Sequence, residues 1–121
     1  MHTIKVKRVY EKPEAEDGVR VLVDRLWPRG LKKEALPHDY WAKEVTPSPE
    51  LRTLYHRCEM PFAGFAEGYE EELNGSSGAA AFAEKCRGWL QQGDVTLLYA
   101  AKDTGKNHAL VLQAWLCRQL R

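Results

Sequence analysis

Two short stretches of the 121-residue chain gather the side chains that hold anions and move protons. One is Asp24-Arg25-Leu26-Trp27-Pro28-Arg29-Gly30. The other is Tyr99-Ala100-Ala101-Lys102-Asp103, followed by Asn107-His108. Arginine presents a planar fork that grips phosphate or carboxylate through two hydrogen bonds, and lysine presents a compact point charge. Arg25, Arg29 and Lys102 are therefore the expected anion holders. Asp24, Asp103 and His108 are the groups able to orient a ligand or transfer a proton, since carboxylates and imidazoles serve as acids and bases near neutral pH. Trp27, Trp41 and Tyr99 could wall the site and stack a flat ligand. Each has a plain structural use as well: an Asp-Arg pair after a strand often pins a loop, and Trp-Pro often simply packs.

For these stretches to meet, each must follow a strand, and the two strands must be neighbours. Ligands of open α/β sheets bind beyond the carboxyl ends of the strands, where the loops diverge. Val19 to Val23 is β-branched and nearly continuously apolar, as a central strand would be, and Val95 to Ala100 is a stronger run of the same kind. Ile4, Val6 and Val9 alternate with Lys5, Lys7 and Arg8, as on an edge strand with one wet face. Asn107 is placed to cap a helix whose amino end adds unpaired N–H groups to an anion site.

The remaining pattern is helical. Trp41 and Val45, four apart, suggest a short helical turn near 39–45. Ser48-Pro49-Glu50 is a helix start, with a capping serine, a proline at the first position and an acid in the first turn. Phe62, Phe65, Ala66, Tyr69 and Leu73 share one helical face, and a further helix runs from about Gly78 to Gln92. The order read is β-β-α-α-α-β-α, an α/β domain with a small, mainly parallel sheet and flanking helices. The length suits one domain spanning residues 1–121. The pairing of the first two strands, antiparallel or through a crossover, stays open.

Several chemistries find no support. Ala100 to Asn107 sits like a phosphate-cradling loop between strand and helix, but it has alanine where that loop needs its first glycine and Asn107 where it needs serine or threonine. Nucleotide hydrolysis is not expected. The four histidines are scattered without metal-ligand spacing, so neither a metal nor a cofactor is expected. The three cysteines, Cys58, Cys86 and Cys117, form no C-x-x-C and read as free thiols of a reducing cytoplasm. The amino-terminal residues lack the apolar stretch of a secretory signal. No run approaches the roughly 20 apolar residues of a bilayer span. Net charge is +1, so nucleic acid would have to be met by a local patch, such as Lys5, Lys7 and Arg8 or Arg29, Lys32 and Lys33. A small anionic ligand is the expected partner, and a nucleic-acid or protein-binding module is the alternative.

The run Val21-Leu22-Val23-Asp24-Arg25-Leu26-Trp27-Pro28-Arg29-Gly30-Leu31 resembles the YeaO-like proteins, small bacterial proteins within a large family of unknown function (domain of unknown function 488). The resemblance continues through Trp41-Ala42-Lys43-Glu44, Pro47 to Arg52, Phe65 with Tyr69, Glu72-Leu73, and Val95 to Asp103 with Asn107-His108, which is nearly the whole chain. It implies a Rossmann-like three-layer α/β sandwich and a bacterial cytoplasmic protein, and it implies no activity. The chain departs from the family's pattern at His56-Arg57-Cys58-Glu59-Met60, where relatives tend to show His-Asp-Pro, so a role resting on that acidic residue is not expected to carry over.

Overall fold

The computed structural model describes residues 2–120. Four strands form one sheet in the order β1-β4-β2-β3, where β1 is Ile4–Arg8, β2 Val19–Leu22, β3 Tyr40–Trp41 and β4 Val95–Tyr99. Every neighbouring pair is parallel. The first two strands therefore do not pair with each other; they flank β4 on either side. Residues 9–18 carry the chain from β1 past β4 to β2 with one 3₁₀ turn at Ala15–Asp17, although such crossovers usually contain an α-helix.

The period-two pattern of the strands sorts side chains onto two faces. Val19, Val21, Val95, Leu97, Tyr99, Ile4 and Tyr40 face the main core, which they share with Leu51, Phe65, Tyr69, Phe82, Cys86, Leu112 and Leu116 of the helices. These are α1 (Pro49–His56), α2 (Phe62–Asn74), α3 (Ser77–Leu90) and α4 (His108–Gln119). The opposite face carries a smaller cluster of Val9, Leu22, Leu36 and Leu98, covered by Trp27, Leu31 and Trp41.

The molecule thus has the expected α/β layering, but the third layer is built from segments 9–18 and 24–39 with only 3₁₀ turns in it. Pro13, Gly18, Pro28, Gly30 and Pro37 interrupt any longer helix there. Gly18 has a φ of +66°, and a Cβ there would stand 2.0 Å from the carbonyl oxygen of Asp94. Only glycine lets β2 start so close to β4.

Residues 39–45 depart from the expected helical turn. Tyr40 and Trp41 pair with Val21 and Leu22 as β3, and the 3₁₀ turn Lys43–Val45 follows. The free backbone edge of β2 supplies the reason: Asp39 N donates to Arg20 O at 2.7 Å and Ala42 N to Leu22 O at 2.8 Å. Trp41 and Val45 consequently lie on opposite faces of the sheet. The helix starts follow the sequence reading, with Ser48 Oγ accepting from Leu51 N at 3.2 Å and Asn107 Oδ1 from Leu110 N at 3.0 Å.

Candidate functional site

The carboxyl ends of β2 and β4 are adjacent, since Leu22 is in register with Leu98 and Val23 N donates to Leu98 O at 3.0 Å. The two chemistry-bearing stretches leave the sheet from this point and diverge. Between them lies an open cleft of about 370 Å³. This is within, and near the lower end of, the roughly 300–1,000 Å³ typical of small-molecule sites.

Asp24 stands at the start of the first loop and is held on two sides. Its Oδ2 accepts from Ala100 N at 3.1 Å, and Trp41 Nε1 donates to its backbone oxygen at 2.7 Å. His108, the first residue of α4, places Nε2 3.0 Å from both the carbonyl oxygen of Val23 and Asp24 Oδ1. A ring nitrogen facing two acceptors must carry the proton, so neutral His108 is protonated on Nε2 and its Nδ1 is the acceptor. The Nε2–H satisfies the geometry of a hydrogen bond only toward Val23. Asp24 Oδ1 is buried and has no hydrogen-bond partner among the described residues.

Four cations line the cleft: Arg25 and Arg29 from the first loop, Lys106 from the second, and Arg52 from α1. Among the described residues none of them has a carboxylate within 4.0 Å. Arg52 Nε is buried without a partner among the described residues. Among the described residues Asp24 is the only carboxylate side chain in the lining. Apolar walls complete the cleft, with Trp27, Pro28 and Leu26 on one side and Pro47, Tyr55 and Phe65 on the other.

The expected residues are distributed unevenly. Asp24, Arg25, Trp27, Arg29 and His108 line the cleft. Lys102 is exposed and outside the lining, while Lys106 is in it. Asp103 is also outside: its Oδ1 accepts from Gly105 N at 2.8 Å and Lys106 N at 3.0 Å, which shapes the loop. Those are N–H groups that a phosphate-cradling loop would turn toward its ligand, so the resemblance to such a loop ends there. Trp41 supports the cleft from behind, its ring 5.5 Å edge-on from that of Trp27. Tyr99 is buried in the main core, and burial is the largest cause raising its hydroxyl above the ordinary range.

Arg52, Tyr55 and His56 were not singled out by the sequence reading, yet they line the cleft. Their spacing of i, i+3 and i+4 on a helix foreseen from Ser48-Pro49 was the available signal, because that spacing puts them on one face. The basic edge turns out differently from a free surface. Lys5 Nζ donates to Glu16 O at 2.6 Å, Lys7 bonds Glu14 and Asp17, and Arg8 donates to the carbonyls of Ala100 and Ala101.

Fold and cleft together define a small α/β protein with a cation-lined cleft at the carboxyl edge of a parallel sheet. The chain belongs to the family described as "Inactive DUF488-N3 subclade", which matches residues 3–121. It is 47% identical over 113 residues to the uncharacterized protein YeaO of Escherichia coli, covering 93% of this chain and 96% of that protein. It is 43% identical over 109 residues to the uncharacterized protein Rv3073c of Mycobacterium tuberculosis, covering 90% of this chain and 89% of that one. No solved structure matches. Among the described residues no helix is long and apolar enough to cross a membrane, and no group of three or more His, Cys, Asp or Glu could hold a metal ion.

Proposed function

We propose that this protein binds a small anionic ligand, phosphate-bearing in class, at the carboxyl ends of β2 and β4, and that it acts by binding rather than by turnover. One observation carries the reading: among the described residues, four cations without ion-pair partners line a cleft whose lining includes a single carboxylate side chain. Unpaired cations clustered at strand ends raise the local concentration of anions and hold them when they arrive. The amino end of α4 adds to this, because the N–H groups of its first turn have no intrahelical acceptors.

Binding without turnover is supported by the word "Inactive" in the family's description and by the way the expected acids and bases are engaged. Asp103 organises its own loop, and Asp24 and His108 are tied to backbone groups. The internal bonding of Lys5, Lys7 and Arg8 favours a small ligand over a nucleic-acid surface on that edge. Free cysteines and bacterial relatives support a bacterial cytoplasmic protein.

A thermal-shift screen against phosphate, sulfate, nucleotides, sugar phosphates and small carboxylates tests the reading. A ligand present at a hundred times its dissociation constant stabilises the folded state by about 2.7 kcal/mol, a rise of several degrees for a chain of this size. The expected result is a hit that Arg29→Ala/Lys106→Ala abolishes and Lys102→Ala retains. No shift with any anion sinks the proposal, as does a hit indifferent to the double variant.

A further inference from the structure

Resting on that anion-binding reading, we infer that His108 is itself a ligand of the bound anion, donating to it from Nδ1 with a proton taken from solvent as the anion arrives. The inference starts from how the ring is held. His108 lines the cleft. Its Nε2 is fixed at the strand ends, 3.0 Å from Val23 O and 3.0 Å from Asp24 Oδ1. The two nitrogens of an imidazole point to opposite sides of the ring, so fixing Nε2 against the end of β2 turns Nδ1 away from it. Among the described residues Nδ1 makes no hydrogen bond, and it is not one of the unpartnered polar atoms shut off from solvent, which are Arg20 Nη2, Asp24 Oδ1 and Arg52 Nε. It therefore keeps a face to solvent, in a side chain 18% exposed that borders the cleft.

In the neutral ring Nδ1 carries a lone pair and has nothing to donate to an anion. A proton there makes it a donor, while Nε2 keeps its own proton and its bond to Val23, so the ring gains charge without moving. The charges that border the cleft make this gain depend on the anion. Arg25 and Arg29 of the first loop, Lys106 before α4 and Arg52 of α1 all repel a positive ring. Asp24 attracts it, and because Asp24 Oδ1 is buried, its charge acts on the ring and not on a ligand. His56 of α1 borders the cleft as well, but it is exposed and water screens its charge. A bound anion offsets the repulsion of the cations and adds an attraction of its own. Proton and anion then favour each other by the same factor. The charged ring is the tighter binder, so the extra affinity is present at low pH and lost as pH rises through the imidazole range, about pH 5 to 8.

Sulfate is the probe, because its own charge does not change over that range. Titration calorimetry on the full chain, in buffers of unlike ionisation enthalpy, counts the protons taken up for each sulfate bound. Uptake of a substantial fraction of a proton is expected near neutral pH. Sulfate should also bind about fivefold or more tighter at the acid end of the imidazole range than at its alkaline end. His108→Gln keeps an amide N–H for Val23 O but cannot be charged, so proton uptake and pH dependence should both disappear. Heteronuclear NMR of labelled histidine in the parent reads the same event with no variant: the His108 Nδ1 resonance should move to its protonated position as sulfate is added. If phosphate binds and sulfate does not, phosphate takes its place, with its own titration subtracted in the same buffers. Anion binding without proton uptake, or with uptake at another histidine, overturns the inference and leaves the anion-binding reading standing. Binding of no anion at all removes both.

Discussion

His108 Nε2 stands 3.0 Å from Asp24 Oδ1, yet its proton is aimed at the carbonyl oxygen of Val23. Around this point β2, β3 and the loop between β4 and α4 are fastened together, since Asp24 also receives Ala100 N and, through its backbone, Trp41 Nε1. The Asp24 carboxylate is thus both a fastener of the fold and a wall of the cleft. Asp24→Ala leaves the Ala100 N–H without its acceptor and should cost about 1–3 kcal/mol. Asp24→Asn keeps an oxygen for that bond and should cost less. Urea unfolding of the two variants beside the parent measures this, and an alanine variant as stable as the parent would show that the joint is not held by the side chain.

Asp17 predicts the acid limit of stability. Its carboxylate is buried under the sheet, where Lys7 Nζ approaches Oδ1 at 2.8 Å and Arg20 Nη1 approaches Oδ2 at 2.5 Å. Burial alone would push the carboxyl up, but the bonds from Lys7, the Glu14 N–H and Arg20 together hold it below the usual carboxylate range. A depressed folded pKa means that the bound form contributes stability above the unfolded value of about 3.9, and that this is lost as pH falls through the folded value. Asp17→Asn should lose about 3–5 kcal/mol at pH 7, the cost of stranding buried charge. Its unfolding midpoint should also flatten between pH 5 and the acid limit, where the parent's falls. Equal acid profiles for the two proteins would remove Asp17 from the account.

Thiol reactivity separates the three cysteines. Cys58 and Cys117 are exposed and Cys86 is buried, and burial pushes the Cys86 thiol up to about 12. Only thiolate reacts, so at pH 8 iodoacetamide should modify Cys58 and Cys117 of the folded protein and reach Cys86 only after unfolding. Intact-mass analysis counts the adducts; rapid labelling of all three in the native protein would contradict the packing of α3.

Gly18 sets a backbone limit. A methyl group there would meet Asp94 O at 2.0 Å in a left-handed conformation, and Val19 N donates to that same oxygen at 2.9 Å. Gly18→Ala should therefore destabilise by several times the roughly 1 kcal/mol that glycine-to-alanine changes usually move. Thermal unfolding reads the loss, and a shift within a degree of the parent would mean that β2 can start elsewhere.

Much of this protein was legible in the chain because its signals are local. Ser48-Pro49 and Asn107 announce helix starts through hydrogen bonds a few residues long, and the apolar runs 19–23 and 95–100 announce strands through side-chain period alone. The Asp24 to Arg29 stretch could be recognised as chemically dense for the same reason. What the sequence left open depends on contacts between distant residues. That β1 and β2 flank β4 follows from backbone pairing across more than seventy residues, and β3 exists because the edge of β2 was free to take Tyr40 and Trp41. Lys106 and Arg52 line the cleft, while Lys102 points elsewhere, because loop shape and helix docking decide which cations converge. Charge type is written in the residues. Charge position is decided by which carboxylates and carbonyls fold back upon them, as Lys5, Lys7 and Arg8 show at the other edge of the sheet.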